Sequence, residues 1–151
     1  MRPDLPLSIT LISAVVVQAA CQIFKVVVYS IRDRRLKLSY LVSAGGMPSA
    51  HSAFVTALTV SVGMWSGFGS DLFAVSVVFS LIVIYDALRL RGAVEHHARV
   101  LNTLLAKHPD VKTAALNEMV GHTLGEIVAG IIIGGGFAVL VYEVVIAVVS
   151  H

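Results

Sequence analysis

The sequence predicts an all-α membrane protein, a polytopic helical bundle of about four spans with interfacial helices. Three observations predict it. Of the 151 residues, 57% are apolar and only 13% are charged, against about 45–50% and about 25% in an ordinary soluble domain. Mean hydropathy is +0.88. Long apolar runs approach the roughly 20 residues that cross a bilayer. A soluble domain of this size buries roughly 60–70% of its chain surface, too little to hide so much apolar area. Soluble enzymes, disordered tails and disulfide scaffolds are therefore excluded, and one membrane-embedded domain over residues 1–151 is expected.

The elements follow in order. Leu7 to Tyr29 reads as the first span. Leu7 to Ile31 is broken by Ser, Gln and Lys25 and runs without a small-residue cleavage site into Arg32-Asp33-Arg34-Arg35, so it is expected to be retained. Leu38 to Gly46 suits a short interfacial or re-entrant segment. Ser52 to Trp65 and Leu72 to Leu88 are short spans joined by the turn Gly67-Phe68-Gly69-Ser70, a helical hairpin. Ala98 to Ala106 places Val100, Leu101, Leu104 and Leu105 at helical spacing, as in a helix on the membrane surface. Leu124 to Val149 is the last span. Its pairs Gly121/Gly125 and Gly130/Gly134 fit the small-xxx-small pattern of close helix packing.

The charges are asymmetric. All Lys and Arg residues except Arg2 fall in Lys25–Lys37 or Arg89–Lys112. With four spans these segments share one side, which the positive-inside rule assigns to the cytoplasm. The expected location is the inner membrane, multi-pass, with both termini outside. No basic stripe is interleaved with exposed aromatics, so no nucleic-acid partner is expected. The single Cys21 lies in an apolar run and reads as a packing residue.

Four polar groups sit at span ends on that same side. Charges near hydrocarbon cost several kcal/mol unless paired or hydrated, so each is a functional candidate. Lys25 and Arg32 are two helical turns apart and share a face, where they can clamp phosphate oxygens or snorkel to the interface. Gly45-Gly46-Met47-Pro48-Ser49-Ala50-His51 opens the second span. Its glycines allow close backbone approach, Pro48 suits a first helical turn, and a helix N-terminus binds anions. A loop, a cap and a satisfied histidine would use the same residues. Asp86 can orient Arg89, Arg91 or Lys25, or form a purely structural ion pair. His122 and Glu126 share a helix face. The carboxylate can fix the imidazole tautomer and free the other nitrogen to attack, or merely stabilise the helix. Together these residues supply an anion cradle, cationic clamps and two histidines, the parts of phosphoryl transfer through a phosphohistidine, with no metal and no cofactor required. His96, His97 and His108 could instead form a metal site, but His96 and His97 point about 100° apart on a helix, and a solvated interfacial role suits them better.

The set resembles the type 2 phosphatidic acid phosphatase and vanadium haloperoxidase superfamily, whose motifs are K-x6-R-P, P-S-G-H and S-R-x5-H-x3-D. Here Lys25 to Arg32 is followed by Asp33, Pro48-Ser49-Ala50-His51 has Ala for Gly, and His122 to Glu126 ends in Glu. The chain most closely resembles the divergent branch of small membrane proteins, with its GGMPS-x-H, YDA-x3-R and GHT-x2-E patterns, over about residues 10 to 148. The resemblance implies that His122 is the nucleophile, Glu126 its orienter and His51 the general acid. It implies that Lys25, Arg32, Ser49 and the Gly46 backbone hold phosphate. The Ser-Arg positions of the third motif are Ala115 and Leu116, and Arg91 is the candidate substitute clamp, supported by Asp86. The superfamily's usual six spans exceed the four here, so a minimal core or one completed by a homo-oligomer is expected. The expected activity is that of a lipid phosphate phosphatase on phosphatidylglycerophosphate, phosphatidic acid or an isoprenoid (pyro)phosphate. The alternative is a non-catalytic membrane protein that binds anionic head groups or scaffolds a partner.

Overall fold

In the computed structural model, residues 8–36, 45–108, 110–111, 113–118 and 120–150 are described. Among them all regular structure is helical: α1 (Ile9–Asp33), α2 (Ala50–Ser66), α3 (Asp71–Leu88), α4 (Leu90–Leu105) and α5 (Leu124–Val149). Hydroxyl side chains start most of them. Ser8, Ser49, Ser70 and Thr123 each accept a first-turn amide, which satisfies a donor that the helix itself leaves unpaired. Arg34 closes α1 at φ 52°, its amide returning to Ile31. The expected re-entrant segment lies mostly outside the described residues.

Three stretches are long and apolar enough to cross a membrane: α1, Asp71–Leu105 and α5. α2, with 17 residues, reaches about 25 Å, somewhat less than a hydrocarbon core of about 30 Å. It nevertheless forms the centre of the bundle. Ala50, Ala53 and Ala57 pack with Val17 and Cys21 of α1 and Ala138 of α5. Large apolar side chains point outward instead, among them Phe24, Val75, Ile82 and Ile132. This inside-out pattern suits a lipid environment, where small residues rather than a hydrophobic drive bring helices together.

α2 and α5 run parallel. A Cβ on Gly130 would lie 2.5 Å from Ser49 O, and one on Gly134 2.3 Å from Ala53 O, so glycine is what admits this backbone contact. Of the two small-residue pairs expected from sequence, only Gly130/Gly134 forms the contact. Gly121 precedes the helix, and a Cβ on Gly125 would meet nothing within 4 Å. At the far end Trp65 and Tyr142 pack edge-on with ring centroids 4.8 Å apart. α2 and α3 are joined by hydroxyls: Thr59 Oγ1 donates to Ser76 O at 3.1 Å and lies 2.6 Å from Ser80 Oγ, which donates to Val55 O at 3.1 Å.

The surface helix begins earlier than the apolar spacing suggests, at Leu90 rather than Ala98. No proline intervenes after α3, and Arg89 serves as the C-cap of α3 and the N-cap of α4.

Candidate functional site

The end of α1 and the starts of α2 and α5 meet the end of α3 at one end of the bundle. Lys25 is buried on α1 and its Nζ donates to Gly45 O at 3.2 Å. One turn on, Tyr29 Oη accepts the Met47 amide at 3.3 Å. Gly46 lies between these anchors at φ +92°, where a Cβ would sit 2.6 Å from Tyr29 Oη. Glycine at position 46 is thus required by both conformation and space. The Arg32 guanidinium carbon stands 5.8 Å from the Tyr29 ring centroid, within cation–π range.

Pro48 precedes the cap of α2 and follows a cis peptide bond, so it stands outside the first turn expected for it. Ser49 is the cap residue. Its buried Oγ accepts from Ser52 N at 3.3 Å and Ser52 Oγ at 3.0 Å. Its amide donates to Glu126 O at 3.0 Å, tying the start of α2 to the start of α5. Ser49 therefore acts as a joint between helices and is not part of the cavity wall described below.

His122 is held from three directions. Its amide donates to Ala87 O at 3.3 Å, and the preceding Gly121 amide donates to Glu95 Oε2 at 3.0 Å. Its Nδ1 lies 2.9 Å from Glu126 Oε2. That carboxylate is itself fixed by a capping box: Thr123 N donates to Glu126 Oε2 at 3.1 Å and Glu126 N to Thr123 Oγ1 at 3.3 Å. With Nδ1 facing a carboxylate, the proton of a neutral ring resides there. The lone pair is then on Nε2, which is buried without a hydrogen-bond partner. Burial pushes the His122 pKa below the ordinary histidine range; Glu126 opposes this, and the charges of Lys25 and Arg91 add to it. The ring is accordingly neutral near pH 7.

His51, in the first turn of α2, also has a buried unpartnered nitrogen, Nδ1. It lies within electrostatic reach of Arg91, His122, Lys25 and Asp86. Arg91 Nε donates to Asp86 Oδ2 at 2.9 Å, so of the partners considered for Asp86 the fold selects Arg91.

A cavity of about 410 Å³ opens at this end. Arg32, Gly46, His122 and Glu126 line it, together with Glu95 and Arg99 of α4. Lys25, His51, Asp86 and Arg91 adjoin the histidine cluster but do not line this cavity. His96 and His97 have ring centroids 6.4 Å apart. Among the described residues no group of three His, Cys, Asp or Glu side chains is placed to hold a metal ion.

The model of the Divergent PAP2 family matches residues 8–137. The chain belongs to this family. It is also 41% identical over 95 residues to the uncharacterized membrane protein YuiD of Bacillus subtilis, a match covering 63% of this chain and 60% of that one. The chain thus spans less than two thirds of the curated relative it matches. No solved structure matches.

In this Divergent PAP2 chain, three residues near the site escape a motif reading: Tyr29, Glu95 and Arg99. Tyr29 carried a weak signal, one turn past Lys25 and one before Arg32. Glu95 and Arg99 form an i,i+4 ion pair on the polar stripe of α4. Arg99 also approaches Glu118 at 4.0 Å. Their spacing is visible in the sequence, but the earlier start of α4 is what brings them to the cavity.

Proposed function

We propose that this protein is a membrane lipid phosphate phosphatase acting through a phosphohistidine. One observation carries the reading: His122 presents a buried, unpartnered Nε2 while Glu126 holds Nδ1. Leaving a buried polar atom unsatisfied costs about 1–3 kcal/mol, a cost that suits an atom reserved for a ligand. Family membership and the shared motifs support the same chemistry.

In the proposed reaction the Nε2 lone pair attacks phosphorus, and the bond from phosphorus to the alcohol oxygen breaks. The departing oxygen takes a proton from protonated His51, and the His122 Nδ1 proton stays on the ring, hydrogen-bonded to Glu126. Water then attacks the phosphohistidine while His51 takes its proton, the N–P bond breaks, and phosphate leaves. Arg32, Arg91, Lys25 and the Gly46 amide are the proposed counter-charges and donors for the oxygens that gain charge, with Ser49 holding the loop that presents them. The basic segments at this end support a cytoplasmic orientation, in which inner-leaflet phosphatidylglycerophosphate or phosphatidic acid would be the substrate.

The test uses purified protein in detergent with EDTA. Phosphate release from a panel of these lipids is expected, with abolition in His122→Ala and competitive inhibition by vanadate, a mimic of five-coordinate phosphorus. Equal release by His122→Ala overturns the mechanism. A non-catalytic head-group binder is the second reading, favoured by Leu116 at the position of the wider superfamily's arginine, where its amide and carbonyl instead bind Asn102. It predicts lipid binding that survives His122→Ala and no release by the wild-type chain.

A further inference from the structure

α4 is inverted relative to a helix on a soluble protein. Its polar stripe faces inward. Glu95 Oε2 receives the Gly121 amide at 3.0 Å, Arg99 pairs with Glu95, and Asn102 binds Leu116 at both its amide and carbonyl, each at 2.9 Å. Asn102 Nδ2 also donates to Glu118 at 2.7 Å. These contacts bind the extended segment 113–118 along α4. Gly92, Glu95 and Arg99 of the same stripe line the cavity.

The opposite stripe is apolar apart from the exposed His97 at its centre, and is uncovered. Leu90, Val94, Leu101 and Leu104 are 63%, 47%, 47% and 48% exposed. At about 100° per residue their mean direction lies about 155° from that of Gly92, Glu95, Arg99 and Asn102. Among the helices α4 packs only on α3. The exposed face of α3 carries Leu81, Ile82 and Tyr85 up to the α3–α4 junction, so the apolar surface continues from a membrane-spanning stretch onto α4. Val111 and Leu116, beyond α4, are exposed as well. The outward stripe carries no Lys, Arg, Asp or Glu. Exposed Arg89 and Lys107 flank its two ends, as suits contact with anionic head groups.

We infer that the outer face of α4 beds in the boundary between lipid head groups and acyl chains, and so holds the cavity level with the lipid phosphates. The occupant is the bilayer, because this surface is continuous with one that already meets lipid and carries flanking cations. A helix of this kind lies in the interface with its apolar face about 5–10 Å deep. The inference deepens the proposed function by delivering lipid phosphate directly to the cavity, yet its test does not depend on turnover.

The test places an environment-sensitive fluorophore on Leu101→Cys in a Cys21→Ala chain, reconstituted into phosphatidylglycerol-containing vesicles. Strong quenching by spin-labelled acyl chains is expected, near that of a label on Ile82→Cys, with weak quenching by aqueous iodide. Iodide quenching without acyl-chain quenching overturns the inference, as does shielding from both, which would reveal a protein partner. Val94→Cys on the same stripe serves if Leu101→Cys does not fold. Because fluorescence is read rather than phosphate, an inactive but correctly bedded protein sinks only the proposed function.

Discussion

Glu126 Oε2 stands 2.9 Å from His122 Nδ1, and the same oxygen accepts the Thr123 amide. One carboxylate thus caps α5 and orients the imidazole beside it. The helix N-terminus is a favourable place for a carboxylate, so the fold that positions the orienting group also suits it.

Replacing Glu126 with Gln keeps the size and removes the charge. Burial, the dominant influence, lowers the His122 pKa, and Glu126 is the influence that raises it. The nucleophile must be neutral and the acid His51 protonated, so the rate rises with pH through this pKa and falls again as His51 loses its proton. In the wild type that rise lies below the ordinary value of 6.5. In Glu126→Gln it is expected at still lower pH, with kcat reduced by about 10²-fold or more. A pH profile of phosphate release checks both. An unmoved acid limb would mean that Glu126 only caps the helix.

The parallel contact between α2 and α5 sets where these catalytic candidates meet. At Gly134 a new Cβ would press on the Ala53 backbone, at 2.3 Å from its O and 2.8 Å from its Cα, and backbone cannot rotate away. Gly134→Val is expected to cost about 1–3 kcal/mol through overpacking. Gly136→Ala, where nothing lies within 4 Å, should be neutral or stabilising by up to about 1 kcal/mol, since alanine is the better helix former. Thermal unfolding in detergent separates the two. Equal melting temperatures would place the interface elsewhere.

The apolar runs disclosed the helices because a lipid-facing helix needs little beyond length and hydropathy. α5 is found at Leu124–Val149, as expected, and α3 differs from expectation by one residue at its start. His122 and Glu126 were legible together because a separation of four is local, but His122 precedes the cap of α5 and meets Glu126 through the capping turn, not across the shared helix face expected. What the sequence hid depends on tertiary geometry. The Ser49 hydroxyl could serve a ligand or a cap, and the Ser52 contacts assign it to the cap. Gly121/Gly125 and Gly130/Gly134 look alike as text, and only the second pair meets α2. Glu95 reaches the Gly121 amide across 26 positions, a separation at which no periodicity operates.

Asp86 and Arg91 bear on turnover through each other. Arg91 Nε donates to Asp86 Oδ2 at 2.9 Å, with both side chains about one-third exposed, so the ion pair itself adds little stability. Its consequence is orientation: the fork of a guanidinium binds phosphate oxygens only when its plane is set. Asp86→Asn is expected to lower kcat/KM about 10-fold, which corresponds to about 1.4 kcal/mol, and Arg91→Ala to lower it further. The double variant should be no worse than Arg91→Ala alone, because the aspartate has nothing to orient once the arginine is gone. Rates of phosphate release for the two single variants and the double variant complete this cycle. Additive losses would mean that Asp86 acts on the site apart from Arg91, through His51, which also lies within its electrostatic reach.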